Sequence, residues 1–127
     1  MLTGVDTGFF FALEDEHPLA VNIWEEREIV TSAVVLYELQ KKLLQGHFNK
    51  WPKIIEDIEI ATLVVPVSSS IALKAGQIAH EIKIPGLDAL ILTSLIEANC
   101  QEIYTSDSHF ELYISKKIKV INLEKTH

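Results

Sequence analysis

The sequence predicts an α/β fold: a three-layer α/β/α sandwich around a central, mainly parallel sheet of about five strands. Three observations lead there. Short apolar, often β-branched runs alternate along the chain with segments of helical periodicity, which is the signature of α/β architecture. The helical segments lie between successive strands, and a crossover of that length joins parallel neighbours, since antiparallel ones need only tight turns. The segment from Ala89 to Ala98 is nearly all apolar (Leu90, Ile91, Leu92, Leu95, Ile96), so it is expected to be covered on most sides.

Taken in order, Leu2 to Val5 predicts the first strand. Helical pattern runs from Gly8 through Leu13, is interrupted by Glu14, Asp15, Glu16, His17 and Pro18, and resumes from Leu19 to about Trp24. Ile29 and Val30 predict a second short strand. Thr31 and Ser32 can cap a helix from Ala33 to about Leu44, because a side-chain oxygen there accepts from an orphan N–H of the first turn. Gly46 is placed to end it. Trp51 to Ile60 predicts another helix, and Leu63-Val64-Val65, stopped by Pro66, a third strand. Ser68, Ser69 and Ser70 offer caps for a helix from Ile71 to Ile82. Pro85-Gly86 marks a turn, and Asp88 opens the apolar helix, which reaches Asn99. Glu102 to Thr105 and Ile118 to Leu123 complete the set as fourth and fifth strands. No repeat, low-complexity stretch or linker divides residues 1–127, so one domain is expected.

Composition narrows the function. Of the 127 residues, 48% are hydrophobic and 23% charged, a balance that supports a core and argues against disorder. No apolar run approaches the roughly 20 residues of a membrane helix, and the opening Met1-Leu2-Thr3-Gly4-Val5-Asp6 lacks the basic flank of a signal peptide. The one cysteine, Cys100, suits a reducing compartment, so a cytoplasmic protein is expected. A net charge of −7, from 18 acids against 11 Lys and Arg, disfavours a broad basic face that coats duplex nucleic acid. It is compatible with carboxylates gathered around a cation that carries the positive charge to a phosphate.

Open parallel sheets bind ligands at the carboxyl ends of their strands, and that criterion sorts the acids. Glu14-Asp15-Glu16, Glu25-Glu26-Glu28 and Glu56-Asp57-Glu59 are charge runs of the kind that solvates a helix face, and Glu81, Glu97, Glu102, Glu111 and Glu124 are scattered. Four remain. Asp6 follows the first strand and precedes Phe9-Phe10-Phe11, Asp88 begins the apolar helix, and Asp107 lies just past the fourth strand. Each of the three is also explained as a helix cap or Asx-turn. Glu38 lies on the helix after the second strand, where a helical wheel puts Leu36, Leu39 and Leu43 on the apolar stripe and favours an exposed glutamate beside Val34. Three aspartates at one sheet edge repel and raise one another's pKa, which a hard cation relieves. Oxygen ligands without a Cys/His cluster suit Mg²⁺ or Mn²⁺. Zinc is disfavoured because His17, His47, His80, His109 and His127 show no HxxxH-type spacing.

From Val5 to about Leu123 the sequence resembles the PIN domain family, and within it the single-domain ribonuclease toxins of VapC-type toxin–antitoxin pairs. The motifs that carry the resemblance are Val5-Asp6-Thr7 before an apolar helix, Ser32-x-x-x-x-x-Glu38-x-x-x-Lys42, Asp88-Ala89-Leu90-Ile91, and Thr105-x-Asp107-x-x-Phe110 after a strand. The resemblance implies that Asp6, Glu38, Asp88 and Asp107 are an acidic quartet binding Mg²⁺ or Mn²⁺, and that the reaction is hydrolysis of a phosphodiester in single-stranded RNA. In that reading Asp6, Asp88 and Asp107 hold one ion that activates water, and Glu38 helps with a second ion or its water. It also implies a homodimer held inactive by a small antitoxin. Two positions depart from the pattern: Gly8 stands where many members have Ser or Asn, and His109 where an auxiliary carboxylate is common.

Around the quartet, Lys41 and Lys42 are within a turn of Glu38 as candidate phosphate contacts or as plain surface charge. Trp24 and Trp51 are candidates for a partner surface, and Phe9-Phe10-Phe11 reads as core with at most one ring exposed. Other readings are a non-catalytic metal- or protein-binding module on the same fold, and an RNA-processing nuclease without antitoxin. A phosphoacceptor receiver is set aside, because Leu63-Val64-Val65-Pro66 carries no aspartate.

Overall fold

The chain departs from its first strand, β1 (Leu2–Val5), through two helices, α1 (Thr7–Glu14) and α2 (Pro18–Glu26), into β2 (Glu28–Ser32). Helices α3 (Ala33–Leu44) and α4 (Ile54–Ala61) lead to β3 (Leu63–Val65), and α5 (Ser69–Ile82) and α6 (Gly86–Glu97) lead to β4 (Glu102–Thr105). A short 3-10 turn (Ser108–Leu112) precedes β5 (Lys119–Asn122). The computed structural model describes residues 1–125; His127 and the end of the expected domain lie outside the described residues. No helix among the described residues is long and apolar enough to cross a membrane.

All strand pairings are parallel, in the order β3-β2-β1-β4-β5. Gly4 on the central strand pairs with Val30 on one side and Ile103 on the other. The chain therefore builds outward from β1 to β3, then crosses back through α5 and α6 to start again beside β1. The order reverses between β1 and β4, and at such a switch point the crossovers diverge and leave a crevice at the strand ends.

Packing explains why the elements sit there. A Cβ on Gly4 would meet Leu95 Cδ1 at 3.0 Å and Cys100 Sγ at 3.1 Å, so the bare backbone lets α6 lie directly on the central strand. Helix α6 buries Ala89, Ile91, Leu92, Thr93, Ser94 and Leu95, which fits its nearly unbroken apolar sequence. Phe9, Phe10, Ile23, Val30, Leu39 and Ile103 are fully buried, each worth about 1.5–3 kcal/mol relative to exposure. Phe10 meets Trp24 and Trp51 with ring centroids 6.1 and 6.4 Å apart, and the two indoles stand 5.6 Å from each other. The tryptophans suggested as a partner surface thus turn toward each other and the core, each half-buried.

Some boundaries differ from expectation for identifiable reasons. Helix α4 starts at Ile54 rather than Trp51, because Pro52 disfavours helical geometry in the residue before it. Trp51 instead turns its backbone N–H to Phe48 O and its indole N–H to Asp57 Oδ2, at 2.7 Å. Helix α6 begins at Gly86, two residues before Asp88, and stops at Glu97; Asn99 takes a left-handed φ of 62°. Ser32 caps α3 by accepting from Val34 N–H, while Thr31 stays in β2 and donates to Val5 O.

Candidate functional site

Asp6 leaves the end of β1 with extended backbone, and its Oδ1 accepts from Phe9 N–H at 3.0 Å, capping α1. Its second oxygen, Oδ2, accepts from the Thr105 hydroxyl at 2.5 Å. That hydroxyl in turn accepts the Asp107 backbone N–H at 2.8 Å, so β1 and β4 are tied together where the sheet order reverses. Asp107 caps the 3-10 turn by accepting from His109 N–H at 2.9 Å, and buried Phe110 pins that turn to the core. Capping is therefore real for Asp6 and Asp107, and it fixes the orientation of both carboxylates.

Asp88 differs. It sits in the first turn of α6, whose cap position is Pro85 and which has no side-chain capping bond. The cap suggested by sequence is absent, and the Asp88 carboxylate, 17% exposed, is turned toward Asp107 and His109.

Glu38 corrects the helical wheel. It is half-buried rather than exposed, and its Oε1 accepts from Thr7 Oγ1 at 2.5 Å. Val34, one turn earlier, is only 8% exposed: the start of α1 covers this second face of α3, which hydrophobic ranking alone does not reveal.

Asp6, Glu38, Asp88 and Asp107 line one cleft of about 190 Å³, together with Thr7, Gly8, Phe11, Ile91 and Ser106. Burial pushes Asp6 up to about 7; the hydrogen bonds from Thr105 and Phe9 oppose the rise, and the charges of Asp107 and Asp88 add to it. Asp88 is raised to about 6, by burial first, then by Asp107 and Glu38, with His109 opposing. The donors converge at a cost to one another, and a hard divalent cation offsets that cost, so the residues fit such an ion. Among the described residues, no Lys or Arg lines the cleft. Lys41 is exposed and neither it nor Lys42 reaches the lining, and Lys116, Lys117 and Lys119 are exposed beside β5.

The sequence marks His109 only as a departure from the family pattern, without a place in the acidic set. Its Nδ1 lies 2.9 Å from Asp107 Oδ1 and 3.6 Å from Asp88 Oδ2, and one donor atom from each of these three residues falls within 4.8 Å of the others. His109 thus adds a nitrogen beside the carboxylate oxygens of Asp88 and Asp107. The 3-10 turn folds His109 back over Asp107, and the Asp107-x-His109 spacing just past a strand is the signal that marks it.

Gly8 also has a structural explanation. A Cβ there would overlap Ser106 Oγ and lie 3.0 Å from its Cβ. Ser106 occupies the space that a side chain at position 8 would take, so the hydroxyl reaches the cleft from the other strand's loop. Of the three consecutive phenylalanines, Phe9 and Phe10 are buried and Phe11 alone reaches the cleft.

Comparison with known proteins agrees with the fold. The sequence profile of the PIN domain matches residues 4–114. No curated protein sequence gives a significant match. Among solved structures, VapBC-1 from nontypeable Haemophilus influenzae is similar at 19% identity and a TM-score of 0.75, over 98% of this chain and 100% of that one. VapBC2 from Rickettsia felis, bound to a DNA fragment of its promoter, is similar at 20% identity and a TM-score of 0.72, over 96% and 98%. The Mycobacterium tuberculosis toxin VapC20, described as cleaving the sarcin–ricin loop, is similar at 21% identity and a TM-score of 0.71, over 86% and 92%.

Proposed function

The chain belongs to the PIN domain family, and from that premise we propose that it is a divalent-metal-dependent endoribonuclease acting on single-stranded RNA, the toxin of a toxin–antitoxin pair. The observation that carries this reading is the convergence of Asp6, Glu38, Asp88 and Asp107 on one cleft at the switch point between β1 and β4.

Asp6, Asp88 and Asp107 would hold one Mg²⁺ or Mn²⁺, with Glu38 beside a second ion or its water. A bound cation supplies charge for the phosphate and lowers the pKa of water to a range useful near neutrality. The protein's own part is orientation. Thr105 fixes Asp6 and Thr7 fixes Glu38, each through a 2.5 Å hydrogen bond. Phe11 and Ile91 give the cleft apolar wall, which limits water around the acids and strengthens their interaction with a cation. Because no Lys or Arg among the described residues lines the cleft, RNA phosphate is repelled until the carboxylates are neutralised. Products with a 5′-phosphate and a 3′-hydroxyl are expected.

The toxin assignment draws on the VapBC complexes among similar structures. Those complexes support a small antitoxin as partner; a second copy of this chain and an RNA substrate are what the family resemblance implies. The test is incubation of the purified protein with single-stranded RNA, duplex RNA and single-stranded DNA, in Mg²⁺, Mn²⁺ or chelator, with mapping of product ends. Metal-dependent cutting of single-stranded RNA supports the proposal. Metal binding without cutting of any substrate selects the non-catalytic module, and cutting with no antitoxin gene beside this one selects an RNA-processing nuclease.

A further inference from the structure

We infer that the His109 imidazole is itself a ligand of the metal site and tunes it toward Mn²⁺ over Mg²⁺. This rests on the reading of the cleft as a divalent-metal centre. Neighbouring ligands of an octahedral ion with bonds of about 2.1 Å stand about 3 Å apart, and opposite ones about 4.2 Å. His109 Nδ1 is 2.9 Å from Asp107 Oδ1 and 3.6 Å from Asp88 Oδ2. Both distances from His109 fall at or between those two spacings, and the three residues offer donor atoms within 4.8 Å of one another.

A hydrogen bond alone accounts for only half of this. It explains the approach to Asp107, but 3.6 Å to Asp88 is beyond hydrogen-bond reach. Packing does not explain it either, because the His109 side chain is 50% exposed. Its backbone N–H is held by Asp107 Oδ1 at 2.9 Å, and the turn is anchored by buried Phe110, so the ring is aimed by the fold. The hydrogen bond to Asp107 uses a proton on Nδ1; with a cation between the ring and the carboxylates, the tautomer that carries the proton on Nε2 leaves the Nδ1 lone pair to coordinate.

The chemical consequence follows from ligand type. Carboxylates suit Mg²⁺ and Mn²⁺ alike, whereas imidazole nitrogen favours transition metals. Replacing a carboxylate by His109 removes a negative charge that Mg²⁺ uses well and supplies a nitrogen that Mn²⁺ accepts.

The test uses the full chain and metal alone. Mn²⁺ is added below stoichiometry to the wild type, His109→Ala and Asp88→Asn, and the bound ion is examined by electron spin-echo modulation for directly coordinated nitrogen. Calorimetric titrations with Mn²⁺ and Mg²⁺ run beside it, and circular dichroism confirms folding. Nitrogen modulation is expected in the wild type and its loss in His109→Ala. Affinity for Mn²⁺ should fall about tenfold or more, and that for Mg²⁺ less than about threefold. Mn²⁺ that binds through Asp88 without nitrogen modulation overturns the role of His109 and leaves the metal centre standing. Failure of the wild type to bind Mn²⁺, or binding unaffected by Asp88→Asn, overturns both.

Discussion

The Thr105 hydroxyl donates to Asp6 Oδ2 at 2.5 Å across 99 residues of sequence. The Thr105 Oγ1 also accepts the Asp107 N–H, so one side chain sets the geometry of two acids that follow different strands. Thr105→Val should remove both bonds and destabilise the protein by about 1–3 kcal/mol. It should also push the Asp6 pKa further up, since this hydrogen bond is what opposes burial most strongly. Thr105→Ser should recover most of the loss. Chemical denaturation of the three proteins, with the pH profile of RNA cleavage, checks both effects.

Stability of the metal-free protein should depend on pH in a direction set by the buried acids. Asp6 and Asp88 are raised from 3.8 to about 7 and about 6 in the folded chain. Below about pH 4 these groups are protonated in both states and impose no penalty. As pH rises, the unfolded chain ionises first, so folding loses stability until the folded groups have ionised too, near pH 7. Asp6→Asn should flatten this fall and raise stability at pH 8 by on the order of 2 kcal/mol. Melting curves between pH 4 and pH 8 in chelator measure it, and saturating Mn²⁺ should restore the wild type at the upper end.

Position 8 and Ser106 should be energetically coupled. Gly8→Ala gains helix propensity of about 1 kcal/mol but drives a methyl against Ser106 Oγ. The single variant should be neutral or destabilised by about 1 kcal/mol. In the Ser106→Ala background the same change should cost less, because the Oγ overlap is gone while the tight contacts to the residue-106 Cβ and backbone nitrogen remain, giving a coupling of about 1 kcal/mol in a double-mutant cycle. Urea denaturation of the four proteins reads it directly.

The strands and most helices were legible in sequence because each is coded locally. Ser32 before Ala33 and Ser68 before a periodic segment cap the helices they were expected to cap, and β-branched runs between helices became parallel strands. What was not legible depends on contacts between distant segments. Glu38 looks exposed on its own helix and is covered only because α1 begins beside it. His109 looks like a lost carboxylate until the 3-10 turn brings its ring to Asp88, 21 positions earlier in the chain. Asp88 looked like a cap because it stands near the start of a helix, but that helix begins two residues sooner. The positions of Asp6 and Asp107 were readable, since each directly follows a strand, while the pocket they share depends on the crossover through α5 and α6.

Asp88 provides the most direct test of the account, because it is part of the cleft without capping a helix. The measurement is the initial rate of single-stranded RNA cleavage as a function of free Mn²⁺, in the wild type and in Asp88→Asn confirmed to be folded. The wild type should show saturable dependence on Mn²⁺ and no activity in chelator, and Asp88→Asn should lose at least about 100-fold in rate while melting no lower than the wild type. Cleavage that persists in chelator, or an Asp88→Asn protein as active as the wild type, would contradict a metal-dependent nuclease built on these four acids.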